Sequence, residues 1–247
     1  MAKFSNEDIF IVTGASSGIG KGVALLLNEL GATVVGIGRN IERLNSLKTE
    51  AKNPENLYIE AKELTENIDS LPLFVKDLKE KYGKFRGLVC CAGIIDDKPL
   101  QVLDEAGVKK VFDVNYFVPL FLAKGFADKR NRTKENATMT FIASISALTG
   151  DKSQAAYGGS KAALIASAKT ISHELAGQVR VNCISPGVVD TPMTDKAEKM
   201  YGHYQTLDNT PLGKGKPEDI ASLAAFLVSN NARWITGQNY ILEGGYI

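Results

Sequence analysis

The chain has 247 residues, with 29 Lys and Arg against 28 Asp and Glu and a formal net charge of +1. That near balance argues against a large basic footprint for nucleic acid. The 44% hydrophobic and 23% charged content is that of a folded chain and excludes a disordered one. Three cysteines, Cys90, Cys91 and Cys183, lack CxxC spacing, and the histidines are only two, His173 and His203. Neither a disulfide framework nor a metal site is expected. The polar start, Met1 to Asp8, shows no signal peptide, and no apolar run reaches the roughly 18 residues that span a bilayer. A reduced, cytoplasmic compartment and no membrane partner are expected.

Short apolar runs alternate with longer amphipathic segments. Ile9 to Thr13 reads as the first strand. Gly18 to Leu30 reads as a helix with Val23, Leu26, Leu27 and Leu30 on one face, closed by Gly31. Thr33 to Gly38 is the second strand and Ile41 to Ala51 the second helix. Leu57 to Glu60 is the third strand, Ile68 to Tyr82 the third helix and Gly87 to Cys91 the fourth strand. Asp104 to about Arg130 reads as one long helix, with Pro119 as its kink. Ala137 to Ser144 is a strand, Gln154 to Ala176 a helix and Val179 to Ile184 a strand. Pro217 to Val228 is a helix with proline at its start, and Asn239 to Leu242 a final strand. This alternation predicts a mostly parallel sheet covered on both faces, in one domain over residues 1–247. The segment from Val188 to Lys216 lacks clear periodicity and reads as a lid or binding loop.

Between the first strand and first helix stands Thr13-Gly14-Ala15-Ser16-Ser17-Gly18-Ile19-Gly20. Glycines there let the backbone turn tightly and approach a pyrophosphate, and the helix N-terminus supplies free N–H groups. The bland alternative is a tight corner. At the end of the second strand, Val35-Gly36-Ile37-Gly38-Arg39-Asn40 carries no carboxylate for a ribose 2′-hydroxyl. Arg39 suits a 2′-phosphate instead, which favours NADP over NAD. Its bland reading is a solvated side chain, as is that of Lys21.

The second motif is Tyr157-Gly158-Gly159-Ser160-Lys161 within a helix. Residues four apart share a face, so Lys161 places positive charge near the Tyr157 hydroxyl and favours phenolate. Such a tyrosine exchanges a proton with a carbonyl oxygen or an alcohol. Two helical glycines cost roughly 1 kcal/mol each against alanine. A close approach by a cofactor or helix supplies a reason for them.

TGASSGIG and YGGSK together resemble the short-chain dehydrogenase/reductase family, and the resemblance covers essentially the whole chain. Further matches are Asn115, Ser144 at 13 residues before Tyr157, Arg180-Val181-Asn182, Pro186-Gly187-Val188-Val189-Asp190-Thr191, Trp234-Ile235-Thr236-Gly237 and Glu243-Gly244-Gly245. The resemblance implies a Rossmann-like, doubly wound α/β fold with a seven-stranded sheet and a substrate lid at about 188–216. It implies hydride exchange between a nicotinamide and a carbonyl or secondary alcohol. Tyr157 is then the general acid or base, and Lys161 tunes it and holds the ribose. Ser144 binds the carbonyl, and Asn115 supports a water linking Lys161 to solvent. The cofactor residues implied are Gly14, Ser16, Ser17, Gly18, Ile19 and Gly20 in the turn, then Arg39 and Asn40. Glu63 with Leu64 follows, then Cys91, Ala92 and Gly93, and Pro186, Gly187, Val189 and Thr191 along the nicotinamide half.

Cys90 and Cys91 replace the family's Asn-Asn and read as small core residues on opposite faces of a strand. Ser146 competes with Ser144, since both point one way if the strand continues. His203, and Met193, Met200, Tyr201 and Tyr204, either line a pocket or pack the lid; His173 reads as structural. Lys124, Lys129, Arg130, Arg132 and Lys134 suit a helix C-terminus and solvent, with docking of an acidic acyl-carrier protein as the alternative. The expected function is NADPH-linked carbonyl reduction, with a 3-oxoacyl thioester as the leading substrate and a sugar, steroid or other small ketone as rivals. A non-catalytic dinucleotide-binding regulator has no need of the Tyr–Lys pair. An enoyl reductase expects wider Tyr–Lys spacing. A homo-oligomer, dimer or tetramer, is implied by the resemblance alone.

Overall fold

A computed structural model describes residues 2–201 and 210–246. Seven strands form one sheet in the order β3-β2-β1-β4-β5-β6-β7, and every neighbouring pair is parallel. They are β1 (Ile9–Thr13), β2 (Thr33–Gly38), β3 (Leu57–Ala61), β4 (Phe85–Cys90), β5 (Ala137–Ile142), β6 (Val179–Pro186) and β7 (Asn239–Leu242). The helices are α1 (Gly18–Glu29), α2 (Ile41–Glu50), α3 (Leu71–Tyr82), α4 (Glu105–Phe112), α5 (Val118–Ala127), α6 (Ser146–Thr149), α7 (Ala155–Glu174), α8 (Pro192–Tyr201) and α9 (Pro217–Val228). The mostly parallel sheet expected from the alternation, and the doubly wound α/β architecture that the resemblance implies, are therefore present.

The sheet is apolar on both faces, as a buried parallel sheet must be. Successive β1 residues feed different cores. Phe10 and Val12 join Val23, Leu27, Leu44, Leu47, Ile220 and Leu227 under α1, α2 and α9. Ile11 joins Val75, Leu78, Leu122, Phe126, Phe141 and Leu164 under α3, α5 and α7. Small residues permit two close helix contacts. A Cβ on Gly125 of α5 would lie 2.8 Å from Pro72 Cα of α3, and one on Gly22 of α1 would lie 3.2 Å from Pro217 Cβ of α9.

Several boundaries differ from the sequence reading. The long helix is interrupted by a widened π-type turn over Asp113–Phe117 and ends at Ala127. Pro119 has no N–H to offer the carbonyl four residues back, that of Asn115, and the ladder opens at that point. Strand β5 stops at Ile142, so Ser144 and Ser146 lie in a turn and at the start of α6 rather than on an extended strand. The segment at 188–216 is not wholly irregular, because it contains α8. Pro192 opens that helix and Thr194 donates a hydrogen bond back to the Val189 carbonyl, whereas its few apolar residues give no clear stripe. The expectations for His203 and Tyr204, and for the side chains of Met200 and Tyr201, lie outside the described residues.

From β6, the Arg180 guanidinium donates to the carbonyls of Leu227 at 2.7 Å, Ser229 at 3.0 Å and Ile235 at 3.4 Å. Asn182 donates to Ile235 O at 3.1 Å and accepts from Gln238 N at 3.1 Å. These two residues of the RVN segment tie the end of α9 to β6 and β7. Arg180→Met keeps the packing of the side-chain stem but strands those carbonyls. We expect a loss of roughly 2–3 kcal/mol in a urea titration, since hydrogen bonds to charged groups are worth about that much.

Candidate active site

In an open parallel sheet, ligands bind beyond the strand C-termini where the strand order reverses. Here the reversal lies between β1 and β4. The Thr13 hydroxyl accepts from Cys91 N and Ala92 N, each at 3.2 Å, and holds the two strand ends together. Gly14 turns there with φ of 68°, and a Cβ on it would lie 2.9 Å from Ala92 N. Gly18, at φ 53°, lies close to Thr191, whose Cγ2 would stand 3.1 Å from an added Cβ.

A cleft of about 200 Å³ opens over this turn. Its wall includes Gly14, Ser16 through Gly20, Arg39, Glu63 and Leu64, Cys91 through Gly93, and Thr191. Lys62 and Thr65 also line it, and sequence reasoning missed both. Ser17 begins α1 without a side-chain cap bond, and the first turn carries no acid. The N–H groups and positive end of α1 are thus left for an anion. Arg39 Nη1 stands 3.3 Å from Glu63 Oε2, and Glu63 also accepts from Thr65 N and Oγ1. Burial opposes the Glu63 charge, but the bonds from Thr65 and Arg39 outweigh it and hold the carboxyl below its ordinary value. Lys21 is occupied by Glu50 at 2.7 Å.

Six predicted cofactor residues, Asn40, Tyr157, Lys161, Pro186, Gly187 and Val189, lie outside the lining of this cleft. Asn40 caps α2 by accepting from Arg43 N at 2.8 Å. Pro186 ends β6, and Val189 is buried in the core under α1 and α9. Gly187 backs onto Glu243, whose Cα would be 2.9 Å from an added Cβ.

Beside the cleft, α7 brings Tyr157 and Lys161 to the end of β5. Lys161 is buried and donates from Nζ to the Ile142 carbonyl at 2.8 Å. Its Nζ lies 5.9 Å from the Tyr157 ring centroid. Burial pulls the ammonium down to about 8. Burial also raises the Tyr157 phenol, against the opposing hydrogen bond of Ser144, and Asp97 and Asp151 raise it further. The sequence reading has Lys161 lowering the tyrosine; in the structure burial dominates and raises it. Ser144 is buried, and its hydroxyl donates to Ser146 Oγ at 3.2 Å, so both serines share the site despite the lost strand.

Asn115 is fully buried in the π-type turn. Its Oδ1 accepts from Ile94 N at 2.9 Å, and its Nδ2 donates to Ile94 O at 2.9 Å and Ser160 Oγ at 3.1 Å. Gly93 lies between Asn115 and Lys161, since a Cβ there would be 3.3 Å from Asn115 Oδ1 and 3.5 Å from Lys161 Nζ. Gly93 therefore joins the glycine-rich cleft to the Tyr–Lys cluster. A second cleft of about 710 Å³ continues from Gly93 and Ile94 past Asp96 and Lys98 to α4 and α8.

Burial pushes the Cys90 thiol well up and that of Cys91 to about 12. They feed opposite cores, as strand alternation requires. His173 is exposed in the last turn of α7. In the basic run, Arg130 is bound to Asp128 at 2.6 Å. Arg132 is buried and donates to Ala127 O and Gln178. The burial of Arg132 takes it out of any docking face. Among the described residues, no helix is long and apolar enough to cross a membrane, and no cluster of His, Cys, Asp and Glu is fit to hold a metal.

Comparison with known proteins agrees with this geometry. A family model described as Enoyl-(Acyl carrier protein) reductase matches residues 14–247. A 3-oxoacyl-[acyl-carrier-protein] reductase of Rickettsia prowazekii is 36% identical over 239 residues, covering 96% of this chain and 95% of that one. One from Thermotoga maritima is 33% identical, covering 97% of each. A crystal structure from Brucella melitensis, described as a short-chain dehydrogenase/reductase and glucose/ribitol dehydrogenase, superposes with a TM-score of 0.91. It is 31% identical and covers 100% of this chain and 99% of its own. This chain belongs to the short-chain dehydrogenase/reductase family. It is an oxidoreductase that interconverts a carbonyl and an alcohol with a nicotinamide dinucleotide.

The low pKa of Lys161 has a measurable sign. An amine depressed in the fold binds fewer protons than in the unfolded chain between about pH 8 and its ordinary value of 10.5. Its contribution to stability therefore rises with pH across that window. Unfolding free energies of wild type minus Lys161→Met should climb from pH 8 to 10.5; a flat difference would refute the depressed amine.

Proposed function

We propose that the protein is an NADPH-dependent reductase of 3-oxoacyl thioesters, working as one domain with residues 188–216 as its substrate lid. The observation that carries the reaction is the cluster of Tyr157, Lys161 and Ser144 at the end of β5, joined through Gly93 to the glycine-rich cleft. When bound, the nicotinamide supplies the hydride. Tyr157, held protonated by burial, donates its proton to the substrate oxygen, and Ser144 donates a hydrogen bond to the same oxygen. Lys161 stabilises the phenolate left behind and, from the position beside Gly93, holds the ribose. Asn115 fixes the Ile94 backbone against α7 and supports the water that returns protons to Lys161.

Preference for NADPH follows from Arg39 and Lys62 at the rim, where no acid replaces them at the end of β2. Arg39 exchanges its exposed pairing with Glu63 for the 2′-phosphate, because a surface ion pair is worth at most about 1 kcal/mol. The thioester follows from the named reductases at 33 and 36% identity. The Tyr157–Lys161 spacing favours carbonyl over enoyl reduction. Acyl-carrier protein is then the natural substrate bearer, the compartment cytoplasmic and the assembly a homo-oligomer.

Tyr157→Phe should lower reduction of an acetoacetyl thioester by about 10²–10⁴-fold while NADPH binding is kept. Normal turnover in that variant would refute the proton-transfer role. Fluorescence titration should show NADPH binding tighter than NADH, with the gap reduced by about tenfold in Arg39→Ala; equal binding in wild type would refute the NADP assignment.

A further inference from the structure

The two clefts share one wall, and that wall is fixed from outside them. Thr191, Pro192 and Met193 line the first cleft, and Pro192, Met193 and Lys196 line the second. Pro192 opens α8, yet among the described residues no side chain of α8 belongs to either hydrophobic core. Polar contacts therefore place this helix. At its start, Asp195 N donates to the Thr191 carbonyl at 3.0 Å and Thr191 N to Thr194 Oγ1 at 3.1 Å. The chain before it is paired to the segment before α9 at a bridge between Val189 and Gly215. Asp190 N donates to Gly215 O at 2.8 Å, and Gly215 N to Val188 O at 3.0 Å. Lys214, the neighbour of Gly215, reaches three carboxylates from this bridge. Its Nζ stands 3.2 Å from Glu198, 3.6 Å from Asp195 and 3.7 Å from Asp190. Asp190 precedes the helix, Asp195 lies in its first turn and Glu198 follows three residues on. The lysine side chain is 24% exposed, so solvent screens these pairs less than it would on an open surface. Burial works against the ammonium, but Glu198, Asp190 and Asp195 outweigh it and hold it above its ordinary value. Among the described residues, Lys214 is on the wall of neither cleft.

We propose that Lys214 is a positioning residue, which latches α8 to the bridge between Val189 and Gly215 and so holds the wall formed by Thr191, Pro192 and Met193 in place for the nicotinamide dinucleotide. This rests on the glycine-rich cleft as the cofactor site. The link to that cleft is short, since Thr191 Cγ2 would lie 3.1 Å from a Cβ on Gly18, where α1 begins. Without the ammonium, Asp190, Asp195 and Glu198 are left together with no counter-charge from Lys214, and like charges so placed repel. The wall then stands in its binding position for only part of the time. A protein whose binding-competent state is fractionally populated loses apparent affinity by that fraction. The loss falls on every dinucleotide that uses the wall, because the geometry of the wall changes and not the charge of the ligand.

The test joins fluorescence titration of both nucleotides to steady-state reduction of an acetoacetyl thioester. Lys214→Met should weaken NADPH and NADH alike by about tenfold, the loss expected when the wall is in place about a tenth of the time. KM for NADPH should rise by a similar factor while kcat changes by less than about twofold, the signature of lost uniform binding. Lys214→Arg keeps the charge and should keep most of the affinity. Adding Asp195→Asn and Glu198→Gln to Lys214→Met removes the repulsion and should recover about threefold, since charges in contact couple by this much. A lysine that served only general stability would show no such recovery. Unchanged affinity in Lys214→Met, a loss confined to NADPH, a loss that the two neutral partners leave in full, or a fall in kcat with affinity kept would overturn the latch. If Lys214→Met does not fold, Asp195→Asn with Glu198→Gln in the presence of Lys214 decides alone, and should weaken both nucleotides by about threefold. Failure of the cleft as the cofactor site reads differently, since Arg39→Ala would then leave NADPH affinity unchanged. Failure of the thioester assignment would remove the kinetic readout and leave the affinities to decide.

Discussion

The buried amide of Asn115 is the constraint on which the site depends. Both its oxygen and its nitrogen bond the Ile94 backbone, and the nitrogen also reaches Ser160 on α7. One side chain therefore joins three elements: the loop after β4, the opened turn before α5, and the helix that carries Tyr157 and Lys161. An isolated amide in the core would be costly, so its three bonds specify one arrangement of these elements. The π-type turn is what places Asn115 at that depth. The absent N–H of Pro119 makes the turn tolerable, because the carbonyl left without its usual donor is that of Asn115 itself.

Two opposing charge effects meet around α7. Burial disfavours the Lys161 ammonium and the Tyr157 phenolate alike. Each ion is the natural counter-charge of the other, but 5.9 Å from ring to amine is a loose pairing. A neutral, protonated phenol is the form a reductase needs at the start of its step. The Ser144 hydroxyl works in the other direction, towards phenolate, and is placed to help once the proton has left.

Much of this was legible in the residues. Strand alternation gave the sheet, because parallel strands buried on both faces must be short and apolar. Gly14, Gly18 and Gly20 gave the turn, since positive φ and close backbone approach leave few alternatives. The YxxxK spacing placed Tyr157 and Lys161 on one helix face. Other features depend on partners distant in the chain, which spacing does not reveal. The capping of α2 by Asn40 and the clamp made by Asn115 are of that kind. Lys62 and Thr65 carry no motif and became visible only when β3 was laid beside β2. The helix α8 was missed because its start is set by Thr191 and Pro192, not by an apolar stripe. Asp97 and Gln154 look like ordinary polar loop residues until their burial is known.

The cysteines that replace two amides at the end of β4 have a practical effect. Cys90 and Cys183 are buried, and the Cys91 and Cys183 thiols are both pushed up to about 12. Burial keeps such thiols protonated, and it is the thiolate that reacts with alkylating reagents. The native chain is therefore nearly silent to maleimides. A single cysteine introduced on α8 would carry a fluorophore selectively, without removal of the natural three, and would report on the surroundings of that helix at the cleft wall.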